Sequence, residues 1–170
     1  MKVDTSILGE VDLLDLTDVS YDIKMCVLKM RNHPRVREQM HSQGIIDKTD
    51  HLNFIDSLKN SDSKRYFVAQ YKQQLVGVVY FTDINLEEKS ATFGIYANLY
   101  EKVEKIGSLL MESALTYFHN VLSFRVLNLE VYNSNERAVN LYLKFGFSKS
   151  NHFYQNGHDV LIMKYLKRDL

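Results

Sequence analysis

The sequence predicts an α+β fold, and three observations carry that prediction. Three alternating apolar runs, residues 65–71, 75–83 and 90–96, follow one another across short polar links such as Lys72-Gln73-Gln74, so an antiparallel meander is the economical connection. Apolar stripes at helical spacing stand before and after that meander. Towards the end of the chain, residues 127–147 read without interruption as strand, turn, helix and glycine exit.

Taken in order, a first strand is expected over residues 11–16 and a helix over 19–31, which Asn32 and the chain's one proline, Pro34, bring to a stop. Residues 35–46 form a connection rich in polar and bulky side chains. A second helix, 48–59, carries Leu52, Phe54, Ile55 and Leu58 as its apolar stripe. After the meander a longer helix, 103–119, places Ile106, Leu109, Leu110, Ala114 and Phe118 on one side. Leu127, Leu129 and Val131 then alternate with Asn128, Glu130 and Tyr132 as in a half-buried strand. In Asn133-Ser134-Asn135 the side chains bond their own backbone, so either Ser134 or Asn135 caps a helix that starts near Glu136. Ala138, Leu141, Tyr142 and Phe145 give that helix its apolar positions, and Gly146 supplies the left-handed exit. Two strands, 147–154 and 160–167, complete the chain.

With 170 residues and no Pro-, Gly- or Ser-rich linker, the expectation is a single domain spanning residues 1–170. Lys and Arg balance Asp and Glu at 21 each, so no field of one sign is present to hold a nucleic acid or an anionic membrane. No apolar run reaches the ~20 residues that span a bilayer, and a cytoplasmic protein is expected. Cys26 follows Ile23 and precedes Val27 and Met30 in an apolar helical pattern, which predicts a buried core thiol and not a nucleophile. The six histidines lack close metal-ligand spacing, so no metal site is expected.

The pattern Asn133-x-Asn135-x-x-Ala138-x-x-x-Tyr142-x-x-x-Gly146-Phe147, set between two strands, resembles the C-terminal half of the GCN5-related N-acetyltransferases (GNAT), and the order of elements agrees over nearly the whole chain. That resemblance implies α/β/α layers around a mixed, mostly antiparallel sheet, with acetyl-CoA as cosubstrate. It places Asn135, Ala138 and Tyr142 against the coenzyme and makes Tyr142 the acid for the departing thiolate; a half-buried core tyrosine is the plain alternative. The family's pyrophosphate loop, Gln/Arg-x-x-Gly-x-Gly/Ala, matches residues 102–107. Lys102 replaces the first residue, Lys105 stands where the first glycine would be, and Gly107 is retained. With Ile106 and Ser108 these residues would present a helix N-terminus to the anion, unless the lysines are only solvated surface groups. By the same resemblance Gly94, Ile95 and Tyr96 belong to the strand that splays away and pairs with the pantetheine arm. An oxyanion donor is then expected in the backbone N–H of Ile95 or Tyr96. Gly94 suits a bulge or a close approach, with a packing glycine as the alternative. Glu130 would orient the amine or take its proton through water, or serve simply as an exposed cross-strand partner.

A narrower resemblance lies in the first third. Lys29-Met30-Arg31-Asn32-His33-Pro34, Met40-His41 and the stretch from His51 through Phe54 to Lys59 are similar to the N-acetyltransferases of pseudaminic acid biosynthesis, a pathway that serves flagellin glycosylation. Those enzymes acetylate the 4-amino group of the nucleotide sugar UDP-4-amino-4,6-dideoxy-N-acetyl-β-L-altrosamine. The resemblance implies that Arg31 engages the nucleotide, that Met40, His41, His51 and Phe54 line the acceptor pocket, and that Tyr96 and Glu130 close it near the amine. His41 stands where that group often has an aromatic residue. Read without the resemblance, Arg31 is a cation in the last turn of a helix, Phe54 is core and His51 is surface. Two other functions fit the C-terminal motif. A protein N-terminal acetyltransferase of the ribosomal-protein type predicts an open acidic groove, and a non-catalytic acyl-CoA-binding module is favoured by Lys105. Transfer is expected to be direct, in a ternary complex, without a Cys acyl-enzyme. An exposed last strand leaves room for a homodimer.

Overall fold

The chain runs β1 (Lys2–Thr5), β2 (Gly9–Asp15), α1 (Tyr21–Arg31), α2 (Pro34–Arg37), α3 (Lys48–Leu58), β3 (Arg65–Tyr71), β4 (Gln74–Asn85) and β5 (Ser90–Ala97). It continues through α4 (Ile106–Tyr117), β6 (Val126–Tyr132), α5 (Glu136–Lys144), β7 (Ser148–Gln155) and β8 (His158–Leu166). These elements come from a computed structural model that describes residues 1–6 and 9–167. Eight strands form one sheet in the order β1-β2-β3-β4-β5-β6-β8-β7. Every neighbouring pair is antiparallel except β5 and β6, which run parallel.

Alternation along the central strands divides the core between the two faces of the sheet. Phe67, Ala69, Val79 and Phe81 point to the side covered by α4 and α5, where Leu109, Leu110, Ala114, Val139 and Tyr142 meet them. Val68 and Val78 point the other way and pack with Val27 of α1 and Ile55 and Leu58 of α3. Two helices on each face thus give the three layers, as expected.

Several local expectations need correction. β1 was not predicted, because four residues with two inward side chains, Val3 and Thr5, are too few to show a period. Pro34 does not merely end α1. It occupies the first turn of α2, where its missing N–H costs nothing, and His33 Nδ1 accepts from Arg35 N at 3.2 Å as the cap. The long helix begins at Ile106 and not at residue 103, and past Tyr117 it widens into a π-helical turn, Phe118–Leu122. Cys26 is exposed, not buried: Val27 and Met30 fill the inward face of α1, and position 26 falls outside their arc. The prediction of a left-handed exit at Gly146 holds, with φ at 88°.

One glycine the sequence did not mark fixes the sheet beneath α4. A Cβ on Gly77 would lie 2.5 Å from the Tyr96 carbonyl oxygen and 2.8 Å from Leu110 Cδ1. Because the first obstacle is backbone, relief requires moving β5. Gly77→Ala is expected to cost about 1–3 kcal/mol, as overpacked sites do, read as a lowered denaturation midpoint.

Among the described residues, no helix is long and apolar enough to cross a membrane. The last strand, β8, is not at the edge as expected but lies between β6 and β7; β7 forms the edge and is exposed along nearly its whole length, with only Phe153 half-buried.

Candidate active site

Strands β5 and β6 are paired only through Ser90–Val126, Ala91–Leu127 and Thr92–Asn128. Beyond Thr92, β5 follows β4 as far as Ala97 while β6 follows β8 as far as Tyr132. The two parallel strands therefore part, and a cleft of about 620 Å³ opens at their C-terminal ends. Carboxyl ends of adjacent parallel strands are where open sheets place their ligands, because the diverging edges leave backbone groups unpaired.

Three segments converge on this cleft. Gly94, Ile95 and Tyr96 line it from β5; Lys105, Ile106, Gly107 and Ser108 line it at the start of α4; Asn135, Ala138 and Tyr142 line it from α5. Glu130 joins them from β6, whereas Lys102 does not line the cleft. Arg137 and Lys144, which the sequence reading passed over, add two cations from the same side of α5.

The start of α4 keeps a left-handed residue without the glycine. Lys105 adopts φ 54° and ψ 26° at the N-cap and makes no capping side-chain bond. A non-glycine residue in that region costs roughly 1–2 kcal/mol. The first N–H groups of α4 have no intrahelical acceptor, so the helix end carries a partial positive charge into the cleft. At α5 the cap is Asn135 and not Ser134: Asn135 Oδ1 accepts from Ala138 N at 3.2 Å. Asn133 is occupied elsewhere, its Nδ2 donating to Asp159 Oδ2 at 2.9 Å and tying the turn to β8.

Gly94 makes a close approach, but its partner is a side chain. It lies opposite Tyr80 on β4, and a Cβ there would overlap the Tyr80 ring and hydroxyl. The packing alternative therefore describes what Gly94 does in the protein alone. Tyr142 is 7 % exposed and sits edge-on to Phe93 at 6.0 Å. Its hydroxyl has no hydrogen-bond partner among the described residues. Burial, and after it the neighbouring Tyr80, pushes the Tyr142 phenol above its ordinary range, so it is protonated at neutral pH.

A second, more enclosed cavity of about 280 Å³ adjoins the cleft. Arg31, Met40, His41, His51, Phe54 and Tyr96 all line it. Met40, Tyr80 and Tyr96 line both spaces and form the wall between them. His51 is buried, 5 % exposed, so its reading as a surface residue fails. Its Nε2 donates to the Lys24 carbonyl at 2.8 Å, and burial lowers its pKa, which keeps the ring neutral. Phe54 is half-buried, edge-on to Tyr66 at 5.1 Å. Arg31 Nη2 donates to the Ser42 carbonyl at 2.8 Å, while its Nη1 is the one buried side-chain nitrogen or oxygen of the described residues without a partner. A guanidinium hydrogen held in a cavity without an acceptor carries an uncompensated desolvation cost that an anionic ligand would remove.

Sequence reasoning missed Tyr66 and Tyr80, which stack at 4.9 Å and floor this cavity. The signal was present: each stands two residues from Val68 or Val78 and so shares their face of the sheet. The connection 35–46 is also more than a linker. Tyr132 Oη donates to the Met40 carbonyl at 3.1 Å, Arg37 Nη1 to the Gln43 carbonyl at 2.6 Å, and Asn32 makes two bonds with Ile46. These pin the loop as the outer wall. His41 Nε2 lies 2.7 Å from Glu130 Oε2, joining the two cavities through one pair of side chains.

The Acetyltransferase (GNAT) family model matches residues 30–147 of this chain. The acetyltransferase PseH of Campylobacter jejuni strain 81-176 is 30 % identical over 143 residues, 84 % of either chain, and PseH of a second C. jejuni strain is 33 % identical over 134 residues. Among solved structures, C. jejuni N-acetyltransferase PseH in complex with acetyl coenzyme A matches with a TM-score of 0.74 at 24 % identity, covering 93 % of this chain and 99 % of that one. Spermidine N-acetyltransferase from Vibrio cholerae, in complex with CoA and spermine, matches with a TM-score of 0.82 at 22 % identity, covering 92 % and 95 %.

Proposed function

Since this chain belongs to the acetyltransferase (GNAT) family, we propose that it transfers the acetyl group of acetyl-CoA to the 4-amino group of UDP-4-amino-4,6-dideoxy-N-acetyl-β-L-altrosamine, a step of pseudaminic acid biosynthesis. It is an N-acetyltransferase with acetyl-CoA as cosubstrate. The donor occupies the cleft between β5 and β6, its pyrophosphate at the start of α4, its pantetheine arm along residues 94–96. The acceptor enters the smaller cavity from the other side of the Met40–Tyr96 wall.

The observation that carries the choice of acceptor is the cavity around Arg31. Arg31 is the single Lys, Arg, Asp or Glu among its lining residues, and one of its guanidinium nitrogens lacks a partner among the described residues. A planar guanidinium suits a nucleotide diphosphate, and the aromatic walls of Phe54, Tyr66 and Tyr80 suit a base or a deoxysugar. A polyamine or a peptide amino terminus would call for carboxylates there. The reaction needs three events: the amine nitrogen forms a bond to the thioester carbonyl carbon, the carbon–sulfur bond breaks, and the thiolate takes the Tyr142 proton. The backbone N–H of Ile95 or Tyr96 receives the developing oxyanion. Glu130 serves removal of the amine's proton. Sugar nucleotides are built in the cytoplasm, which is where this reaction would take place, and the free edge of β7 offers a second copy a strand to pair with.

The deciding experiment measures thiol release from acetyl-CoA with the UDP-amino sugar, spermidine and a set of peptide amino termini. Selective turnover of the sugar nucleotide is expected. Preference for a peptide or for spermidine would overturn the acceptor, and silence with every amine despite tight acetyl-CoA binding would favour the non-catalytic module. Direct transfer also predicts that Cys26→Ala keeps full activity; its loss in a folded variant would require a thioester intermediate on the enzyme.

A further inference from the structure

His41 and Glu130 are 89 residues apart in the chain and meet at 2.7 Å, one lining the acceptor cavity and the other the donor cleft. Their geometry fixes a tautomer. A carboxylate only accepts, so His41 Nε2 carries the hydrogen that bridges to Glu130 Oε2, and in the neutral ring Nδ1 then holds a free lone pair. No hydrogen bond occupies that nitrogen among the described residues. The ring is also held in place: Tyr132 meets it edge-on at 6.0 Å, and the Tyr132 hydroxyl secures the preceding carbonyl, that of Met40, at 3.1 Å. His158 of β8 stacks on the same Tyr132 ring at 4.3 Å and helps to hold it.

Building on the acceptor assignment above, we propose that His41 is the base for the acceptor amine and that Glu130 is its positioning residue. As the nitrogen–carbon bond forms, the amine nitrogen gives up one proton to His41 Nδ1, and the ring becomes an imidazolium whose charge Glu130 stabilises across the existing hydrogen bond. The thiolate takes its proton from Tyr142, and solvent restores both groups after release. A base bonded to a carboxylate at the wall between the two cavities supplies what a lone Glu130 does not. Glu130 itself lines the donor cleft and not the acceptor cavity. The other titratable groups around the pair are, on the acceptor side, Arg31 from α1, whose Nη2 holds the Ser42 carbonyl next in the chain, His51 from α3, and the phenols of Tyr66, Tyr80 and Tyr96. On the donor side, Arg35, Glu38, Lys105, Arg137, Tyr142 and Lys144 line the cleft with Glu130, and Tyr132, stacked with His158, packs on the His41 ring. On the acceptor side, His51 is engaged by the Lys24 carbonyl and the phenols of Tyr66, Tyr80 and Tyr96 are held protonated by burial.

The test uses whichever amine the wild-type protein turns over in the panel above, so a wrong acceptor shows in the wild type and a wrong base shows only in the variants. His41→Gln keeps an N–H for Glu130 but has no basic nitrogen, and His41→Ala leaves a space that imidazole can enter. Both are expected to lower kcat by on the order of 10²-fold or more, to leave KM for acetyl-CoA unchanged, and to lose the acid-side limb of the kcat/KM profile. Added imidazole should restore activity to His41→Ala and not to His41→Gln. The proposal is overturned if His41→Gln, folded by circular dichroism, keeps wild-type kcat and its acid-side limb, or if imidazole fails to raise the activity of a folded His41→Ala that still binds acetyl-CoA.

Discussion

Tyr142→Phe is expected to lower kcat by on the order of 10²- to 10⁴-fold while KM for acetyl-CoA stays within about twofold. Phenylalanine keeps the ring that packs on Phe93 and Phe147 and removes only a hydroxyl that has no hydrogen-bond partner among the described residues. The fold should therefore be unaffected, and the loss should fall on the step that protonates the thiolate. Steady-state thiol release over a range of acetyl-CoA concentrations reads both quantities; unchanged kcat in a folded variant would remove Tyr142 from the chemistry. Burial raises this phenol's pKa above its unfolded value of 10.0, so its ionisation sets no alkaline limb at assay pH. The same shift has a stability consequence. Above pH 10 the unfolded chain releases the proton more readily than the folded one, so folding stability declines as pH rises from there. Tyr66, Tyr80 and Tyr96 are shifted the same way, chiefly by burial, and will steepen that decline. Urea unfolding at a series of alkaline pH values would display it.

Arg31→Ala is expected to raise KM for the sugar nucleotide about ten- to a hundredfold, the equivalent of the roughly 1.5–3 kcal/mol that a hydrogen bond to a charged group contributes. KM for acetyl-CoA should not move, because Arg31 lines the smaller cavity and not the donor cleft. Arg31→Lys should recover little of the loss, since an ammonium cannot hold the Ser42 carbonyl and present a second donor in the same plane. An unchanged sugar-nucleotide KM in both variants would sink the role assigned to this residue.

Local rules made much of the scaffold legible. The meander appeared at residues 65–71, 75–83 and 90–96 because strand alternation and polar links are short-range signals, and the observed strands differ from those limits by two residues or fewer. The Asn cap of α5 and the glycine exit after it follow from side-chain and backbone chemistry within a few residues. Where pattern alone was read at the acceptor side, it misassigned His51, since a histidine one turn before Phe54 and Ile55 looks solvated until α1 is laid across it. Cys26 failed in the opposite direction: apolar neighbours at 23, 27 and 30 suggested burial, but the arc that α1 buries is narrower than its apolar content. Tyr66 and Tyr80 escaped notice because alternation tells which face a residue takes and not what stands opposite it.

The sequence by itself determined the order of elements, the family resemblance and the residue types available for acyl transfer, because each depends on spacing along the chain. Tertiary structure alone decided that β5 and β6 part after Thr92, that Lys105 takes a left-handed conformation without glycine, and that His41 meets Glu130 across 89 residues. Those outcomes rest on the balance between strand pairing, helix docking and side-chain burial over long separations. A period of two or of 3.6 residues does not contain that balance.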